Sequence, residues 1–111
     1  MGTTPKNLIP SAQLTASAAT IYTATNVKTR IDKFTCTNND AVARTITIHL
    51  INSGGTAGDD NKIINAKSLA AGECYTCPEI VGHWLNASQF IQGLADVAAK
   101  VTIRASGIES T

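Results

Sequence analysis

Arg44-Thr45-Ile46-Thr47-Ile48-His49-Leu50-Ile51-Asn52 is the stretch that decides the class of this chain. Along an extended backbone successive side chains point to opposite faces, so Ile46, Ile48 and Leu50 share one face while Thr45, Thr47 and His49 share the other. The pattern is that of a strand with one buried side, and it predicts an exposed His49. Upstream, Arg30 to Thr37 places Phe34 and Cys36 on one face, but Ile31 stands three residues before Phe34 and breaks the period of two. A β-bulge at Asp32-Lys33 brings all three inward. Between the two segments, Asn38-Asn39-Asp40-Ala41 has the short polar side chains of a tight turn, which predicts an antiparallel hairpin.

The same reading extends in both directions. Turn-forming clusters recur at Asn52 to Asn61, Ala71-Gly72, Pro78 with Gly82, Asn86-Ala87-Ser88 and Ala95-Asp96. They separate strand-sized pieces at Thr20 to Thr25, Lys62 to Ala66, Glu73 to Cys77, Gln89 to Leu94 and Ala98 to Ser106, the last with Val101, Ile103 and Ala105 on one face. Thr, Ile and Val together number 32 of 111 residues, against 22 for Leu, Met, Glu, Gln, Lys and Arg, a balance that favours strands over helices. No apolar stripe of helical period runs through several turns. Short strands with frequent turns and no crossover helices predict an all-β, single-domain antiparallel sandwich, either jelly-roll-like or immunoglobulin-like in strand order. Residues 14–111 form that sandwich. Residues 1–13, with Pro5, Pro10 and little alternation, read as an extended N-terminal arm. Pro78 to Leu85 reads as one helical turn or a loop that caps the end of the sandwich.

Size and charge narrow the functional classes. A stretch of 111 residues is expected to build one core, which argues against a two-domain enzyme with a cleft between its halves. Nine Lys and Arg against eight Asp and Glu leave a net charge of +1, far from the basic excess that phosphate backbones require, so nucleic acid is not an expected partner. No apolar run approaches the ~20 residues that span a bilayer, and MGTTPKNLIP lacks the apolar centre of a signal peptide; neither membrane insertion nor export is expected.

Candidate chemistry is sparse. Cys74-Tyr75-Thr76-Cys77 matches C-x-x-C, the spacing of redox pairs and half zinc sites. In a strand, however, the two sulfurs point to opposite faces, and no second ligand pair accompanies Cys36, His49 or His83. Reduced thiols are therefore expected and no metal or cofactor. Gly54 to Asn61 lacks the order of a calcium loop and reads as a mobile surface loop. Asn86-Ala87-Ser88 satisfies the glycosylation sequon, without consequence unless the chain is secreted. No catalytic signature surrounds His49 or His83, so no enzymatic activity is expected. Trp84 either plugs the end of the core or anchors an interface.

The succession Asn7-Leu8-Ile9-Pro10, Leu14-Thr15-Ala16, Thr20-Ile21-Tyr22-Thr23, Thr29-Arg30-Ile31-Asp32 and Thr35-Cys36-Thr37-Asn38 resembles small virion proteins of tailed phages. So do Leu69-Ala70-Ala71-Gly72-Glu73, Leu85-Asn86-Ala87-Ser88 and Val101 to Glu109. Where that family commonly has Gly after Leu85-Asn86-Ala87, this chain has Ser88. Within the family, length and charge are most similar to the capsid decoration proteins, also called cement or staple proteins, of short-tailed phages. The resemblance implies a jelly-roll domain made in the host cytoplasm and carried on the capsid exterior, with the major capsid protein as partner and a homo-oligomer, dimer or trimer, as the assembled form. It implies a shell-stabilising role at joints between capsid subunits, with Lys6, Asn7, Leu8, Ile9 and Trp84 as contact residues. In that picture Leu8 and Ile9 anchor an arm whose deletion abolishes binding and spares the fold. The alternative is a tail or head-fibre adaptor or receptor-recognition module. The few aromatics available to it, Trp84, Tyr22, Tyr75, Phe34 and Phe90, disfavour a glycan platform.

Overall fold

A computed structural model describes residues 2–111. Its strands are β1 (Thr3–Gln13), β2 (Ala19–Thr23), β3 (Lys28–Asn38), β4 (Arg44–Ile51), β5 (Lys62–Leu69), β6 (Cys74–Tyr75), β7 (Trp84–Leu85), β8 (Phe90–Ala95) and β9 (Val101–Ser110), with no helix among the described residues. One sheet runs β1-β9-β3-β6, with β7 also on β3, and the other runs β2-β8-β4-β5. The pairs are antiparallel and nested: β4 with β5, β3 with β6 and β7, β2 with β8, and β1 with β9. A long hairpin rolled across two facing sheets gives this order, which is the jelly roll and not the immunoglobulin-like alternative.

Alternation fills the space between the sheets. Ile46 and Ile48 of β4 meet Ile31, Phe34 and Cys36 of β3 and Val101, Ile103 and Ala105 of β9 in one buried cluster. The bulge that the Ile31–Phe34 spacing demands is present, as a register shift between Ile31 and Lys33 against β9, and it leaves Ile31, Phe34 and Cys36 all fully buried. Ser88 has a left-handed φ of 72°.

Three expectations are corrected. First, Asn38 to Ala41 does not close a hairpin, because β3 and β4 belong to different sheets. The segment is a corner held by the fully buried Asn38, whose Nδ2 donates to the carbonyls of Val42 (2.9 Å), Leu69 (3.1 Å) and Ala70 (3.1 Å) while Oδ1 accepts from Asp40 N (2.9 Å). A side chain that satisfies several carbonyls at a sheet crossing replaces the cross-strand ladder that a hairpin would use.

Second, residues 3–13 are not a free arm. They form the edge strand β1, paired with β9 from Thr3↔Ser110 to Gln13↔Thr102, and Leu8 and Ile9 are core residues at 6% and 2% exposure. Pro5 and Pro10 are tolerated because an edge strand needs donors on one side only. Register shifts between Lys6 and Ile9 and between Ile9 and Ala12 erase the alternation that would have announced a strand.

Third, His49 is buried, although it lies on the outer side of β4 as its neighbours Ile46 and Ile48 require. The 52–61 segment folds over that end of the strand: His49 Nδ1 lies 2.7 Å from Asn61 Oδ1, and Leu50 N donates to Asn61 O. Asn61 Nδ2 donates to Thr56 O at 2.8 Å, so its Oδ1 is the acceptor and His49 carries its proton on Nδ1. Ile51 is covered by the same segment, so the strand has apolar or satisfied polar groups on both faces at this end.

Candidate contact surface

Trp84 reaches the surface because its neighbour does not. In the two-residue strand β7, Leu85 turns into the core at 2% exposure, which by alternation sends Trp84 outward, where it is 52% exposed. The plug at this end of the sandwich is instead Ile80, fully buried in the turn in which Ile80 N and Val81 N donate to Cys77 O. Trp84 is paired with Arg30 of β3, whose guanidinium carbon stands 5.8 Å from the indole centroid. This is cation–π geometry. Arg30 is held by Asp32, donating from Nε to Oδ1 at 2.7 Å; this hydrogen bond to the carboxylate raises the Arg30 pKa further.

Asp32 continues the surface toward the opposite edge. With Pro5, Lys6, Asn7, Ser106, Gly107 and Ile108 it lines an open groove of about 470 Å³. Lys6 and Asn7 are exposed there. Lys6 Nζ pairs with Glu109 Oε1 at 3.3 Å, and the Asn7 amide bridges Arg104 to the carbonyls of Ile9 and Ala105 at 3.1 Å. Of the five expected contact residues, Trp84 lies on the outer face of its sheet with Arg30 and Asp32, while Lys6 and Asn7 are exposed on β1 and line the groove to which Asp32 also contributes. Leu8 and Ile9 leave the set for the core. Arg30 and Asp32 were not anticipated as contact residues: their i, i+2 spacing on a strand was visible, but the pairing with Trp84 is a matter of cross-strand register.

The remaining sequence candidates are dispersed. Cys74 is exposed and Cys77 buried, the opposite-face arrangement expected of C-x-x-C in a strand. His83 is exposed and His49 enclosed by the 52–61 segment. No group of three or more potential metal ligands is found among the described residues. At the far corner Arg44 donates to Asp40 from Nε at 2.9 Å, which holds the Asp40 carboxyl below the usual range.

Behind the groove, the Tyr22 hydroxyl donates to Glu109 Oε2 at 2.5 Å and lies 2.7 Å from the Thr29 hydroxyl. Burial, followed by the bond to Glu109, pushes the Tyr22 pKa from 10.0 to about 12. A raised phenol pKa means that the folded state keeps a proton the unfolded chain loses. The contribution is complete below about pH 10 and is lost as pH rises through 12. Urea unfolding across that window should show falling stability, and Tyr22→Phe should flatten the fall. A residual slope is expected from Tyr75, also raised to about 12 by its hydrogen bond to Glu79. Identical slopes in the two proteins would assign the alkaline loss to other groups.

No family model matches the chain, and no curated protein does. A solved structure of the infectious bursal disease virus Gx strain is similar over 97% of this chain and 30% of that one, with a TM-score of 0.44 and 17% sequence identity. This chain thus spans under a third of the length of that neighbour.

Proposed function

We propose that this chain is a non-enzymatic virion structural protein that binds the outside of a phage capsid shell and stabilises contacts between major capsid protein subunits. The observation that carries the reading is Trp84, half exposed on a rigid sheet and covered on one side by Arg30. Trp and Arg are among the residues that most often dominate protein interfaces, the indole by its large rigid apolar area and the guanidinium by its planar stacking and several hydrogen-bond donors. Sheet backbone holds them in place before binding, so little ordering is required when a partner docks. The open groove lined by Pro5, Lys6, Asn7, Asp32 and Ile108 adds contact area beside them. The resemblance to decoration proteins supplies the partner, and a shell that offers many copies of one site allows modest individual affinities to act together. Assembly as a dimer or trimer belongs to the same proposal.

Co-sedimentation with expanded shells stripped of their minor proteins tests this. Binding should saturate at a fixed ratio of copies to capsid subunits and raise the shell melting temperature. Trp84→Ala should weaken it by about 30-fold, corresponding to the ~2 kcal/mol of an interface anchor. Melting of the isolated domain should hardly change, because the indole is largely outside the core. Binding of a few copies per particle would transfer the protein to the tail or a fibre, and undiminished binding by Trp84→Ala would remove this surface from the interface.

A further inference from the structure

The core contains two thiols for which the contact surface has no use. Cys36, in β3, and Cys77, in the turn after β6, are fully buried, and their Sγ atoms lie 3.6 Å apart although the residues are 41 apart in sequence. Cys36 stands opposite Tyr75 in the β3–β6 pair, so Cys77 is the next residue on the same inward face, and a left-handed φ of 49° at Cys77 ends the strand there. At this separation the sulfurs are in van der Waals contact. Both are free thiols.

We propose that Cys36 and Cys77 are a disulfide-forming pair that cross-links β3 to the 76–83 turn when the protein passes from reducing to oxidising surroundings. Bond formation requires the sulfurs to approach by about 1.5 Å, a displacement within reach of small side-chain rotations. The oxidant is a low-molecular-weight disulfide such as oxidised glutathione. One protein thiolate attacks it and expels a glutathione thiolate; the second protein thiol gives its proton to water and attacks the protein-side sulfur, expelling the other. Two protein thiols lose two electrons and two protons, and one glutathione disulfide becomes two glutathione thiols.

Burial sets the timing. The neighbouring Cys77 sulfur and desolvation hold the Cys36 thiol far above its ordinary pKa, and both sulfurs are enclosed in the core, out of reach of a dissolved disulfide in the closed structure. Reaction then waits on opening of the turn, which is fastened by Gly82 N to Ile31 O at 2.7 Å and by the buried Ile80. A disulfide here would fix the segment that leads directly into Trp84.

The test uses the full chain carrying Cys74→Ser, in which these are the two remaining thiols. After equilibration with oxidised glutathione and denaturation, no titratable thiol should remain, the mass should fall by two hydrogens with no glutathione adduct, and a non-reducing digest should link Cys36 to Cys77. The melting temperature should rise by about 10 °C or more, as expected for closing a loop of this length, and return on reduction. Two thiols still titratable at equilibrium, or glutathione retained on either one, would overturn the proposal. The same digest of the unaltered protein is an independent check: a Cys74–Cys77 link in place of Cys36–Cys77 would also overturn it.

Discussion

Removal of residues 3–13 is expected to abolish cooperative unfolding, leaving a chain without a thermal transition or dispersed amide signals. Leu8 and Ile9, at 6% and 2% exposure, each contribute about 1.5–3 kcal/mol through burial, and β1 pairs with β9 along most of its length. Arg104 of β9 also donates to Pro10 O at 2.6 Å, a bond that disappears with the strand. Against a total stability of about 5–15 kcal/mol for a domain, the loss of an edge strand, its two core side chains and its hydrogen bonds is most or all of the margin. A truncated protein that melts cooperatively near the temperature of the full chain would restore residues 3–13 to the role of a detachable arm. The distinction bears on the test of the proposed function, because a truncation that unfolds the domain would abolish any binding whether or not β1 touches a partner. Lys6→Ala and Asn7→Ala, at exposed positions, are the appropriate probes of contact at this edge.

Gly107→Ala should destabilise the domain by about 3 kcal/mol or more, enough to lower the melting temperature by about 10 °C or more. Gly107 lies on β9 between Lys6 of β1 and Ile31 of β3. A Cβ at this position would overlap the carbonyl oxygen of Arg30 and come within 2.9 Å of Leu8 Cδ1. The first of these neighbours is main chain and cannot rotate away, so relief requires β3 and β9 to separate. The cause is the bulge that follows Ile31, where the β3–β9 register shifts. Urea denaturation gives the comparison, and stability within about 0.5 kcal/mol of the parent would show that the ladder yields more easily than close packing implies. The substitution also reaches the contact surface, because Gly107 lines the groove and Arg30 covers Trp84.

Much of the architecture follows from residues adjacent in the chain. The period of two in 44–52, the excess of β-branched residues and the regular turn clusters determine an all-β domain of short strands. The Ile31–Phe34 spacing locates a bulge. Each of these is a property of backbone geometry over a few residues, which side-chain order records directly.

What tertiary structure alone decided is which strands meet. Asn38 to Ala41 has the residues of a hairpin turn, and becomes a corner because Leu69 and Ala70 supply the carbonyls that bind the Asn38 amide. Residues 3–13 lack alternation, and become a strand because β9, about a hundred positions later, offers them an edge, as the Lys6–Glu109 separation of 103 residues illustrates. His49 is outward by periodicity, and buried because the 52–61 segment returns over it. The juxtapositions of Trp84 with Arg30 and of Cys36 with Cys77 have the same origin. Local order in the sequence fixes the direction of a side chain relative to its own backbone, whereas its neighbour across the sheet is set by which long-range pairing buries the most apolar surface while leaving every enclosed polar group a partner.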